Sequence, residues 1–165
     1  MSWRSGGALH RLQRWMYRGG RPNRLARVVN RMSAIQFSTG LVLPSRAGTL
    51  EVVGRRSGRR ISLPLVVARY EGERYVVSML GSDTSWVRNL RADGGRAVLR
   101  HGRREAIRLE EVEVPLRAPI LRRYLALAPG ARAHMPVDRH APLADFERIA
   151  PDYPVFRVTP DEAMG

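Results

Sequence analysis

Apolar residues follow a helical spacing in the first third of the chain and a strand spacing after it. Leu9, Leu12, Trp15 and Met16 recur three and four residues apart, with Arg11, Arg14 and Arg18 between them, until Gly19-Gly20 interrupts the pattern. That spacing predicts a short basic amphipathic helix. A second helix is expected from near Pro22, which suits a first helical turn, with Leu25, Val28, Val29, Met32 and Ile35 on one face. Such faces ordinarily pack on their own domain. An apolar stripe holding Trp15 beside arginines is also the chemistry for lying on an anionic membrane surface.

From Gly48 onward, β-branched residues, alternation and glycine punctuation predict strands at residues 49–53, 61–70, 74–80, 97–101, 104–114 and 155–159. Glu71-Gly72 and Gly102-Arg103 read as tight hairpin turns, so sequence neighbours should pair antiparallel in a meander suited to closing as a barrel. Helices are expected at 83–93, stopped by Gly94-Gly95, at 115–127 with Leu116, Ile120, Leu121, Tyr124 and Leu125 inward, and at 143–149. The expected class is α+β, a mainly antiparallel split β-barrel over residues 48–165 preceded by a helical segment, 1–47.

Composition narrows what such a domain can do. At 165 residues the chain matches one domain, and no apolar run approaches the roughly 20 residues of a membrane-spanning helix. The formal net charge is +14, and all 29 basic residues are arginine. Codon bias would by itself account for arginine replacing lysine. A field of this sign also attracts anions, which guanidinium grips in bidentate fashion. The chain has no cysteine, which removes thiolate catalysis, iron–sulfur clusters and disulfides, so redox chemistry would need a borrowed cofactor. Four histidines, His10, His101, His134 and His140, lack metal-ligand spacing with carboxylates, and no metal is expected. Residues 1–14 lack the apolar stretch of a secretory signal, which leaves a cytoplasmic location as the expectation, with peripheral contact at the inner membrane face. No motif for reading nucleic acid is present.

Two segments carry candidate chemistry. In Gly54-Arg55-Arg56-Ser57-Gly58-Arg59-Arg60, backbone N–H groups, a hydroxyl and several guanidiniums converge on one turn, a set suited to an anion, although a solvated hairpin turn gives the same pattern. In the predicted helix at 83–93, Trp86 and Asn89 lie three apart and share a face. They could border a planar ring, or serve as a core residue and a cap.

Taken in order, Gly54-Arg55-Arg56-Ser57-Gly58, Ser62, Pro64-Leu65, Tyr75-Val76-Val77-Ser78 and Trp86-Val87-Arg88-Asn89-Leu90-Arg91-Ala92 resemble the run shared by deazaflavin-dependent nitroreductases and quinone reductases. The resemblance covers residues 50–114, and the tail from Ala118 to Phe156 is similar to one branch of that family. It implies a split β-barrel that binds coenzyme F-420, with FMN as the alternative cofactor, and no catalytic residue on the protein itself. Arg55, Arg56, Ser57 and Arg60 would then hold the anionic tail. Ser78, Met79, Leu80 and Gly81 would lie along the ring, fixed by Trp86 and Asn89. Hydride would pass to a quinone, a nitroaromatic or an activated alkene. Tyr124, His134 and Tyr153 are the candidates for the substrate pocket and proton supply. The chain departs from the family pattern at Ile61, at Thr84 and at Asp93-Gly94. Rival expectations are a split barrel holding FMN, haem or a lipid-like ligand without turnover, and a basic nucleic-acid module. A homodimer is expected by analogy with related barrels.

Overall fold

The computed structural model describes residues 45–164, so the two N-terminal amphipathic helices expected from the sequence lie outside the described residues. Seven strands follow: β1 (Ala47–Val53), β2 (Arg60–Val66), β3 (Ala68–Tyr70), β4 (Glu73–Val77), β5 (Arg96–His101), β6 (Arg103–Glu111) and β7 (Val155–Pro160). Helix α1 (Ser85–Ala92) separates β4 from β5. Helices α2 (Val114–Leu127) and α3 (Leu143–Ile149) separate β6 from β7. All strand pairs are antiparallel, in the order β2-β1-β5-β6-β7-β4-β3, and the sheet curls into a split barrel.

The hairpins β1–β2, β3–β4 and β5–β6 pair as expected. The sheet as a whole is not the predicted meander. Strand β5 leaves β4 to pair with β1, and β7 inserts between β6 and β4. Strands β2 and β3, consecutive in the chain, therefore stand at opposite ends of the sheet. The predicted strand at 61–70 breaks at Val67, whose N–H makes a last in-register bond to Arg46 O at 2.7 Å before the chain passes to β3 at the other end of the sheet. Pro64, which has no N–H to donate, sits on edge strand β2, where that loss is tolerated. The first tight turn has both Glu71 and Gly72 at positive φ, 49° and 80°, the type that matches strand twist. The second centres on Gly102 alone, because His101 and Arg103 already face each other.

Alternation places one core inside the curl and another outside it. Leu50, Val52, Leu99, Ile107, Leu109 and Phe156 point inward, where Trp86 of α1 closes the interior, its ring 5.6 Å from that of Phe156. On the opposite face of β4 and β7, Val77 and Val155 carry α2 and α3 through Leu121, Tyr124, Leu125 and Phe146. Leu116 was expected among these but is 63% exposed. Arg117 is buried next to it, and its guanidinium donates to Val112 O (2.8 Å), Ala150 O (3.0 Å) and Glu111 Oε1 (3.3 Å). Burial pushes this guanidinium's pKa down, Glu111 opposes that, and the Arg91 charge adds to it. Those acceptors set the phase of the helix, and Leu116 is turned outward as a result.

Across the β4 and β5–β6 region, Glu105 accepts from Arg74 (2.8 Å) and Arg103 (2.8 Å). Burial pushes the Glu105 carboxyl up, but the two guanidiniums outweigh it and hold the pKa below its ordinary value of 4.5. A lowered folded-state pKa contributes stability that is present above the unfolded value and is lost as pH falls through the folded one. Urea midpoints should therefore decline as pH drops below about 4.5. In Glu105→Gln the midpoint at neutral pH should be lower and this part of the decline absent.

Candidate functional site

The arginine-rich segment is a closed turn at the end of the β1–β2 hairpin. Gly54 N–H donates to Arg59 O (2.8 Å), Gly58 N–H donates to Gly54 O (2.9 Å), and Arg59 N–H reaches Ser57 Oγ (3.2 Å). Gly58 has φ 68°, a conformation side-chain-bearing residues resist, so the glycine is what allows the chain to close here. Arg55, Arg56, Ser57, Arg59 and Arg60 are all exposed. The turn is pinned from α1, because Asn89 Oδ1 accepts from Arg55 N (3.2 Å) and from Arg55 Nη1 (2.8 Å). Asn89 itself is only 4% exposed. A neutral amide thus aims the guanidinium without cancelling its charge. Among the described residues Arg55, Arg56 and Arg59 pair with no carboxylate, and Arg60 lies 3.7 Å from Glu51.

The second candidate group leads into the same helix. Strand β4 stops at Val77, short of the expected residue 80: Ser78 N–H still bonds Pro154 O in register (3.0 Å), but Pro154 has no N–H to carry the ladder on, and Ser78 Oγ donates to Gly81 O (2.5 Å) to close a turn. Gly81 sits at φ 93° and starts the descent to Thr84, which precedes α1 and lies 3.4 Å from Ser78 Oγ. Ser78 and Met79 are buried, while Leu80 and Gly81 are half-buried. Helix α1 therefore connects the two groups, with its start at the Ser78–Gly81 loop and its middle on the arginine turn. Of the pair read as one helix face, Trp86 is given to the core and Asn89 to Arg55.

The expected pocket residues separate into two kinds. Tyr153 Oη donates to the backbone carbonyl of exposed His134 at 3.2 Å, which brings those two together. Tyr124 is buried in the outer core, with Tyr153 packed against the same cluster. Burial raises the pKa of Tyr124. Burial, then the Asp152 charge, raises that of Tyr153. Both remain neutral phenols at physiological pH.

Two concavities lie elsewhere. One of about 490 Å³ is lined by Glu71, Glu110, Glu111 and Glu113 with Arg157, Tyr70 and Leu116, a set with more acids than bases even after Arg157 pairs with Glu110. The other, about 220 Å³, opens between β1 and β5 and is bordered by Arg60 and Arg96. Sequence reasoning missed Arg96. Its position just after Gly94-Gly95 at the start of a strand gave no signal beyond charge.

Among solved structures, the chain is similar to a protein of unknown function from Agrobacterium tumefaciens str. C58, with TM-score 0.52 and 17% identity over 76% of this chain. It spans only 54% of that protein's chain, and the likeness shows the fold alone. Further matches are an F420-H2 dependent reductase (TM-score 0.49, 18% identity, 72% of this chain and 98% of that one) and a heme binding protein from Mycobacterium smegmatis (TM-score 0.49, 14% identity, 86% and 52%). No curated protein matches the sequence. The family model described as F420H(2)-dependent quinone reductase matches residues 25–144, a span that includes the arginine turn, the Ser78–Gly81 loop and α1. More than half of the chain follows that model, and the chain belongs to this family of reductases.

Proposed function

We propose that the chain transfers a hydride from reduced coenzyme F-420 to a quinone, nitroaromatic or activated alkene, with a quinone favoured by the family to which it belongs. The observation that carries this reading is the Arg55 guanidinium, oriented by the buried Asn89 amide and left with its full charge at the mouth of a turn holding two more unpaired arginines. That donor set fits an anionic cofactor tail. Arg55, Arg56 and Arg59 would hold the tail, with the Ser57 hydroxyl proton as a further donor. The backbone of 78–81 would border the ring. Trp86 would act from behind, by holding α1 on the core. When bound, the deazaflavin supplies the hydride-transfer chemistry, and the protein supplies binding and orientation. Tyr153 would border the acceptor with its hydroxyl proton held by His134 O, and its raised pKa disfavours release of that proton.

The nucleic-acid reading requires exposed aromatic residues among the arginines. Among the described residues the exposed large apolar side chains are Val53, Val114 and Leu116, none of them aromatic. Titration with coenzyme F-420 and with FMN, followed by fluorescence, tests the proposal. Saturable F-420 binding at micromolar concentration, followed by reduction of a menaquinone analogue by the reduced complex, is the expected result. Binding of FMN alone, or of neither, would overturn it.

A further inference from the structure

Strands β1 and β5 pair over a short stretch, Thr49 to Glu51 against Arg100 to Val98, and then part. Both continue as strands beyond that point, β1 to Val53 against β2 and β5 back to Arg96 against β6. The fork leaves a notch of about 220 Å³ in which the facing edges of Val52-Val53 and Arg96-Ala97 have no ladder to each other. Arg60, paired with Val53 in register, borders one side, and Arg96 borders the other. Asp93 lies at the rim, one helical turn beyond Asn89, to which its N–H is bonded at 3.2 Å. Asn89 holds Arg55, so the notch begins where the arginine turn ends.

The charges in the notch favour an anion despite two acids. Glu51 at its floor, with a side chain 10% exposed, is shared by Arg100 (3.2 Å), Arg104 (3.4 Å) and Arg60 (3.7 Å). Arg60 is the most distant and most exposed of the three, at 61%, so it can turn to a ligand while the other two keep Glu51 neutralised. Arg96 is exposed and makes no ion pair among the described residues. Three guanidiniums thus share Glu51, and Arg96 stands across the notch with Asp93 at the rim.

We infer that this notch takes a carboxylate of the cofactor's oligoglutamate tail between Arg60 and Arg96, which makes Arg96 a determinant of tail-length preference. The inference rests on the proposed cofactor. A tail gripped at Arg55 and Arg56 runs past Val53 into the fork, and only a tail long enough to reach Arg96 gains the second contact. One partly exposed charge-assisted contact corresponds to about five- to tenfold in affinity.

The test measures dissociation constants by deazaflavin fluorescence at one fixed salt concentration. The probes are coenzyme F-420 with a long glutamate tail, the same cofactor with a short one, and a deazaflavin lacking phosphate and glutamates. The wild-type chain should bind the long-tailed form about five- to tenfold more tightly than the short-tailed one. Arg96→Ala should abolish that preference while leaving the short-tailed constant within about twofold, and Arg103→Ala, an equal charge change at the far hairpin, should keep it. Equal wild-type affinity for both tails, equal loss for both in Arg96→Ala, or loss of the preference in Arg103→Ala would overturn the inference alone. Binding of neither tailed form, or no gain over the tailless probe, would instead sink the cofactor assignment and this inference with it.

Discussion

Arg117→Met should lower the stability of the domain by about 3 kcal/mol, although methionine matches the aliphatic length of arginine and suits a buried site. The loss follows from what the guanidinium satisfies. Val112 O, half-buried at the end of β6, and Ala150 O after α3 both accept from it, at 2.8 and 3.0 Å, and Ala150 O would keep only the longer bond from Tyr153 N–H at 3.4 Å. Each buried carbonyl left without a donor costs on the order of 1 to 3 kcal/mol. Glu111 loses less, because Arg91 still donates to both of its oxygens. For a domain of this size the expected fall in melting temperature is about 6 to 12 °C by calorimetry. Arg117→Lys should fall between, since one ammonium cannot span three acceptors on separate elements. A loss below about 1 kcal/mol in the methionine variant would show that the side chain merely fills space.

Asn89→Asp should separate fold from function more sharply than Asn89→Ala. In the alanine variant the Arg55 N–H and Nη1 lose their common acceptor, the turn is no longer tied to α1, and F-420 affinity should fall about ten- to a hundredfold. The aspartate keeps an acceptor in the same place and adds a charge, so the turn should stay closed and thermal stability should be equal or higher. Its carboxylate also cancels the Arg55 charge that would meet the cofactor. Affinity should therefore still drop by at least about tenfold. Paired calorimetric melts and fluorescence titrations read both quantities. An aspartate variant that binds as tightly as wild type would remove Arg55 from the cofactor site.

These residues also mark how far the sequence was legible. Strand and helix positions followed from local period, because alternation along β1 and β6 and the 3.6-residue repeat of α2 report burial directly. The Trp86 and Asn89 spacing gave the helix that carries them. Their actual partners, Phe156 and Arg55, lie far away in sequence, and no local pattern encodes such contacts. The same reason hid the sheet order. Val155–Pro160 reads as a strand, but nothing in VFRVTP says that it divides β4 from β6. Arg117 was missed because arginines are seldom buried, and its acceptors are backbone carbonyls that a sequence does not display. In α2 the stripe of Leu121, Tyr124 and Leu125 was legible, and the extension of it to Leu116 failed on that arginine.

The place of β7 bears on how the chain is made. Synthesis delivers β1 through β6 before the strand that must lie between β4 and β6, so a nascent chain holding the first six has two unpaired ladders facing each other across an empty slot. Exposed strand edges of that kind template intermolecular pairing. Hairpins can form as they leave the ribosome, but the barrel cannot close vectorially, and the facing edges of β4 and β6 stay open until residues 155–160 emerge and insert.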